Sequence, residues 1–246
     1  MIRGVITAIV TPMNQDGEID FDSLSNLVEF QIKNGIEGLV VAGSTGEGAL
    51  LTVDEKIAIV KHVIKINKKR VKVIVAFNDI ATSFAVGFTK ELNAIAGIDA
   101  YLATAPAYTR PTQDGMYQHF KTIALASTRP IILYNIPGRT ACDLENQTVL
   151  RLAKDHANIV GIKDATGDVT RASGLFVDRP ANFAVYSGDD KTSCEFVLNG
   201  GDGVISVASN LFPGIFKDLI SNALSGNKLL ELKEMTNFCL YIKHCR

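Results

Sequence analysis

Along this chain, two textures of hydrophobic and polar positions alternate. Short, nearly continuous apolar runs such as "GVITAIVTP", "EGLVVAG", "VKVIVAF" and "DAYLATAP" are each followed by a longer amphipathic segment. In "DFDSLSNLVEFQIKNG", Leu24, Leu27, Val28 and Ile32 fall on one helical face and Gly35 closes the segment. "TVDEKIAIVKHVIKIN", "ATSFAVGFTKELNAIAG" and "TQDGMYQHFKTIALAS" repeat that period. The pairing then continues with "PIILYNIP" and "ENQTVLRLAKDH", "NIVGIKD" and "DVTRASGLFV", "FAVYSG" and "DDKTSCEFVLNG", and "DGVISVAS" and "FPGIFKDLISNAL". That makes eight strand–helix units.

Strands without polar alternation, each followed by a helix, predict a parallel sheet covered by helices. Eight units suit a closed α/β (β/α)8 TIM barrel. An open doubly wound sheet is the alternative, but it usually has fewer strands and a glycine fingerprint that is absent here. No Pro/Gly/Ser linker divides the chain, so residues 1–224 read as one barrel domain. Residues 225–246, with "NKLLELKEMTNFCLYIKHCR", read as a short C-terminal helical segment.

Composition narrows the partners. Of 246 residues, 47% are hydrophobic and 21% charged, and the formal net charge is -1 with no block of one sign. Neither nucleic acid nor an anionic membrane is an expected partner. No apolar run is long enough to span a bilayer, and "MIRGVITAIVTP" lacks the features of a signal peptide, so a cytoplasmic protein is expected. Cys142, Cys194, Cys239 and Cys245 form no C-x-x-C pair and read as reduced thiols. The histidines fit no metal-ligand spacing, and "GSTGEG" is not a dinucleotide fingerprint. No metal and no cofactor are expected.

One residue stands out against the apolar pattern. Lys163 ends the run "NIVGIK", and strand alternation would place it on the face of Ile159 and Gly161. An unpaired ammonium is costly to bury, so a solvated lysine just past the strand is the plain reading. In a barrel, however, chemistry sits at the C-terminal strand ends, and there a desolvated amine could form a Schiff base. The other strand ends carry Ser44, Thr45, Tyr108, Tyr134, Asn135, Gly188, Ile205 and Ser206. Hydroxyls of Tyr134, Thr45 and Tyr108 could relay protons, and the amides of "AGSTGE" could hold a carboxylate. Arg139 in "PGRT" could be a carboxylate fork or a surface arginine. Tyr134 could equally be a core tyrosine, and Asp189 and Asp190 read as helix N-cap groups.

The motifs "GSTGE", "RPTQDGMYQHF", "YNIPGRT", "GIKDATGD", "SGDD" and "GVISVASN", in this order, resemble the dihydrodipicolinate synthase (4-hydroxy-tetrahydrodipicolinate synthase) family of pyruvate-dependent class I aldolases. The likeness runs over nearly the whole chain. It implies a lyase of lysine and diaminopimelate biosynthesis that condenses pyruvate with L-aspartate-4-semialdehyde. By the same resemblance Lys163 forms the imine, Thr45, Tyr108 and Tyr134 relay protons, and Arg139 grips the semialdehyde carboxylate. Ser44, Thr45, Gly188 and Ile205 would line the pyruvate pocket. Tyr108 matches a tyrosine that reaches into a neighbouring subunit's site, which implies a homodimer or homotetramer.

The chain departs from the family pattern at several points. Ala76 to Ile80 replace a common "AGTGSN", Ala107 replaces the first of a tyrosine pair, and Ala141 stands where glycine is usual. The family also tends to continue with further C-terminal helices. Positions matching the contacts of a lysine effector are Gly48, Val53, Lys56, Ile80, Phe84 and Ala107. None supplies a carboxylate, so inhibition by free lysine is not expected. The alternatives are another Schiff-base aldolase, such as N-acetylneuraminate lyase or a 2-keto-3-deoxy sugar acid aldolase, and an inactive truncated homologue.

Overall fold

The computed structural model describes residues 2–77 and 80–226. Within them eight parallel strands close into a barrel in chain order. These are β1 (Gly4–Ala8), β2 (Gly38–Val41), β3 (Lys72–Phe77), β4 (Ala100–Thr104), β5 (Ile131–Asn135), β6 (Ile159–Asp164), β7 (Ala184–Ser187) and β8 (Gly203–Ser206). The barrel shuts between β8 and β1, where Gly4 pairs with Gly203. At position 203 the reason is steric: a Cβ there would overlap the Gly4 backbone.

Helices α1 (Phe21–Lys33), α2 (Val53–Asn67), α3 (Thr82–Asn93) and α4 (Gln113–Ala126) cover the first half. After β5 come α5 (Pro137–Thr140) and α6 (Asn146–Asp155), then α7 (Val169–Asp178), α8 (Ser193–Leu198) and α9 (Pro213–Leu224). Polar residues set their starts. Asp20 accepts the amides of Asp22 and Ser23 at α1, Thr52 and Glu55 form a reciprocal capping box at α2, and Asp168 accepts Thr170 and Arg171 at α7.

Two apolar layers result from the inward and outward alternation of the strands. Val5, Leu39, Val73, Leu133, Val185 and Val204 face the helices, whereas Ile6, Val40, Ile74, Leu102, Ile132 and Ile205 fill the barrel interior. Each such side chain contributes about 1.5–3 kcal/mol on full burial. Every strand–helix unit read from the pattern is present. The short helix over "PGRT" and a 3-10 turn at Ala208–Asn210 are additional. No helix among the described residues is long and apolar enough to cross a membrane.

One face assignment is corrected. The register between β5 and β6 shifts at Ile131/Ile132, so Ile131 pairs with Ile159 but Ile132 pairs with Gly161. This bulge puts Ile159 in the outer layer and Val160 against the inner one. Lys163 therefore shares its inward face with Gly161 but not with Ile159. Of the expected C-terminal segment 225–246, residues 227–246 lie outside the described residues, as do Asn78 and Asp79; Ser225 is the C-cap of α9 and Gly226 follows it in a turn.

Candidate active site

Lys163 arrives at the C-terminal end of the barrel interior on β6 and is only 4% exposed. Gly161, two residues earlier on the same face, allows β6 to press against β7, because a Cβ there would stand 2.6 Å from the Ala184 carbonyl oxygen. Burial pulls the Lys163 pKa down from 10.5 to about 8; the Asp190 carboxylate opposes that shift and the Arg139 guanidinium adds to it. At pH 7.5 such a group is about a quarter free amine, against about one part in a thousand for an ordinary lysine. A nucleophile is thus available near neutrality.

Tyr134 on β5 pairs directly with Lys163 across the ladder, and the ammonium nitrogen lies 4.3 Å from its ring centroid. Burial pushes the Tyr134 pKa up to about 12, while Arg139 and a hydrogen bond with the Ser44 side chain pull the other way. The phenol therefore stays protonated and can donate. Ser44 stands in the turn after β2, so the hydroxyl brought to Tyr134 is that of Ser44. Thr45 is half-buried, and among the described residues its hydroxyl has no hydrogen bond.

The turn itself is folded tightly on two left-handed residues, Ala42 (φ 56°) and Glu47 (φ 57°), with the Gly48 amide donating to the Gly43 carbonyl at 2.9 Å. Thr11 clamps it by donating from Oγ1 to the Gly46 carbonyl at 2.7 Å. Among the described residues neither the Ser44 nor the Thr45 amide donates to a carbonyl. Two adjacent free amides next to Tyr134 and Lys163 suit a carboxylate.

Arg139 lies on α5, exposed, and its charge acts on both Tyr134 and Lys163. Helix α5 ends on Ala141 in a left-handed conformation (φ 58°), which explains why glycine would be the easier residue there. Tyr108 is also left-handed (φ 70°), and the Thr140 carbonyl holds its amide at 3.2 Å. Its side chain is 87% exposed on the rim.

Gly188 follows β7 and leaves the space that Lys163 needs; a Cβ there would be 2.9 Å from Lys163 Cε. Ile205 is fully buried on β8. The two aspartates after Gly188 have separate roles. Asp189 accepts the Thr192 amide at 3.0 Å and so shapes the turn into α8, close to the expected N-cap. Asp190 does not cap that helix. Its Oδ2 reaches across to accept the amides of Val207 (3.1 Å) and Ala208 (2.8 Å) after β8.

A second group of residues fixes the strand ends from outside the barrel. Asn135 donates to Asp143 Oδ1 at 2.9 Å and to Asp164 Oδ2 at 3.3 Å, and accepts the Leu144 amide at 3.0 Å. Arg171 bridges Asp164 (3.1 Å) and Asp143 (2.9 Å). These neighbours of Tyr134 and Lys163 hold the two side chains in register. In the sequence only Asn135 was visible as a strand-end residue. Asp164 and Arg171 look like ordinary surface charges until the fold brings them together. A cavity of about 840 Å³, lined among others by Arg3, Lys68, Arg70 and Asp99, opens at the opposite end of the barrel, away from Lys163.

The sequence profile of the dihydrodipicolinate synthetase family matches residues 1–244. The chain belongs to this family. The 4-hydroxy-tetrahydrodipicolinate synthase of Laribacter hongkongensis is 45% identical over 227 residues, which is 92% of this chain and 77% of that protein. The crystal structure of the chloride-inhibited dihydrodipicolinate synthase from Acinetobacter baumannii with pyruvate superposes with a TM-score of 0.92 at 43% identity, covering 96% of this chain and 80% of that one. A monomeric dihydrodipicolinate synthase variant superposes at 0.91 with 35% identity, covering 95% and 78%.

Proposed function

We propose that this chain condenses pyruvate with L-aspartate-4-semialdehyde to give 4-hydroxy-tetrahydrodipicolinate. The observation that carries the reading is the buried Lys163 amine, titrating near 8 and stacked on Tyr134, in a chain of this family. The free amine attacks the keto carbon of pyruvate, whose carboxylate rests on the Ser44 and Thr45 amides. Tyr134, coupled to Ser44, donates the proton with which the carbinolamine loses water. Loss of a methyl proton gives the enamine, which adds to the aldehyde. The product's own amine then attacks the imine carbon and releases Lys163. In this relay Ser44 stands beside Tyr134, and Thr45 serves through its amide.

Arg139 selects between this reaction and the sialic-acid aldolases, because a guanidinium at the mouth suits a second carboxylate. An assay panel decides. With pyruvate, turnover of aspartate semialdehyde should exceed cleavage of N-acetylneuraminate, and the reverse order would assign the chain to the other aldolase. In the same assay at fixed pH and ionic strength, L-lysine up to low millimolar should give no saturable inhibition. Of the six positions matched to an effector, Val53, Ile80 and Phe84 are exposed apolar groups, and Lys56 is a buried cation 5.5 Å from the Phe88 ring centroid. Saturable inhibition would refute that reading.

We also propose that the minimal active form is a dimer. Tyr108 is exposed on the rim, and Leu50, Val53, Ile80 and Phe84 are exposed apolar side chains at the neighbouring helix starts. A second copy would cover such groups and receive the phenol. Sedimentation of the active enzyme should show at least a dimer. Full activity in a monomer would contradict this.

A further inference from the structure

The imine chemistry proposed above creates a charge that needs a partner. Free amine and ketone give a neutral carbinolamine; uptake of one proton and loss of water leave a cationic iminium at Lys163 Nζ. That cation forms where water is excluded and where the nearby Arg139 is also positive. An uncompensated charge in such a place is heavily penalised. Pyruvate's carboxylate is held by the turn after β2, so the protein itself must supply the anion on the other side.

We infer that Asp190 is a positioning residue whose carboxylate is the fixed counter-charge of the Schiff-base nitrogen. Gly188, two residues before it, touches the lysine stem, so the segment after β7 wraps over the amine. Asp190 Oδ2 is pinned by the Val207 and Ala208 amides; Oδ1 is buried with no hydrogen bond among the described residues, and the Ser206 hydroxyl is the nearby donor that favours the carboxylate. The carboxylate is therefore held in place from the β8 side with one oxygen buried. Among the described residues no other acidic side chain acts on Lys163: Asp164, its chain neighbour, faces outward to Asn135 and Arg171, and Asp189 is spent on Thr192. The remaining groups about the amine are the Tyr134 phenol, hydrogen-bonded to Ser44, and Arg139, while Tyr186 beside it sends its hydroxyl to the Ile2 carbonyl at the far end.

Electrostatics agree in direction. Burial raises the Asp190 pKa, and the Ser206 hydroxyl, the two amides and Lys163 favour its ionised form. The loop that Asp190 grips is anchored independently. Asn210 accepts the Val10 amide at 3.1 Å and donates to the Ala8 carbonyl at 2.8 Å, and Gln31 donates to the Ser209 carbonyl at 2.9 Å. Removing the charge at 190 therefore need not dismantle the loop.

The test rests on the Schiff-base reading but has a readout that does not. Asp190→Asn keeps an oxygen for the two amides and removes the charge; Asp190→Ser is a second neutral variant should the first fail to fold. Acetylation of Lys163 by a neutral anhydride, followed across pH by peptide mass, reads the amine without pyruvate. The midpoint should move to lower pH in both variants, and half-maximal cyanoborohydride trapping should need several-fold more pyruvate. An unchanged midpoint would overturn the inference, whatever happens to turnover. A shifted midpoint with no pyruvate trapping even in the parent enzyme would support the Asp190 pairing and overturn the pyruvate reading.

Discussion

Lys163→Arg should lower condensation activity by on the order of 10⁴-fold or more, the scale on which enzymes lose rate when a covalent nucleophile is deleted. The guanidinium is protonated at every accessible pH, so no imine forms. A second variant, Lys163→Met, fills the same space without charge and separates lost chemistry from lost folding. In the parent enzyme the amine's titration should set the pH dependence. Burial lowers the folded-state pKa to about 8, so the nucleophile is protonated below that value and free above it. Acetylation of Lys163 should climb as pH rises through about 8 and level off above. Continued rise beyond pH 10 would mark an ordinary lysine, and near-normal condensation by either variant would refute the assignment.

Arg139→Ala should separate the two substrates. If the guanidinium forks the semialdehyde carboxylate, its loss costs about 1.5–3 kcal/mol, or roughly ten- to hundredfold in half-saturation for that substrate. Pyruvate trapping should change far less. The Lys163 midpoint should move slightly upward, because the Arg139 charge is one of the influences lowering it. Steady-state kinetics with each substrate varied in turn, together with the acetylation profile, checks both parts. Equal damage to both substrates would make Arg139 a structural residue.

The barrel was legible because its signal is redundant. Each strand is an apolar run bounded by a turn, each helix carries a face, and caps such as Asp20, Thr52 and Asp168 mark the starts. Lys163 was legible for the opposite reason, as a charge that contradicts an apolar strand. Its face partners were misread because a bulge leaves no trace in composition: Val160 is as apolar as Ile159. Asp190 was read as a cap because an aspartate before a short helix normally is one, and its true contacts lie 17 and 18 residues further on. The sequence reading puts the Thr45 hydroxyl in the relay, but two adjacent hydroxyls in one turn look alike in sequence, and the structure brings the Ser44 hydroxyl to Tyr134. Only the path of the backbone decides which of them meets Tyr134.

The central claim is that Lys163 carries the substrate covalently. Borohydride reduction of the folded enzyme with pyruvate, followed by peptide mapping, tests it most directly. One stable adduct per chain is expected, on the peptide containing Lys163 and absent from Lys163→Arg. Labelling at a different lysine, or none in the folded parent enzyme, would contradict it.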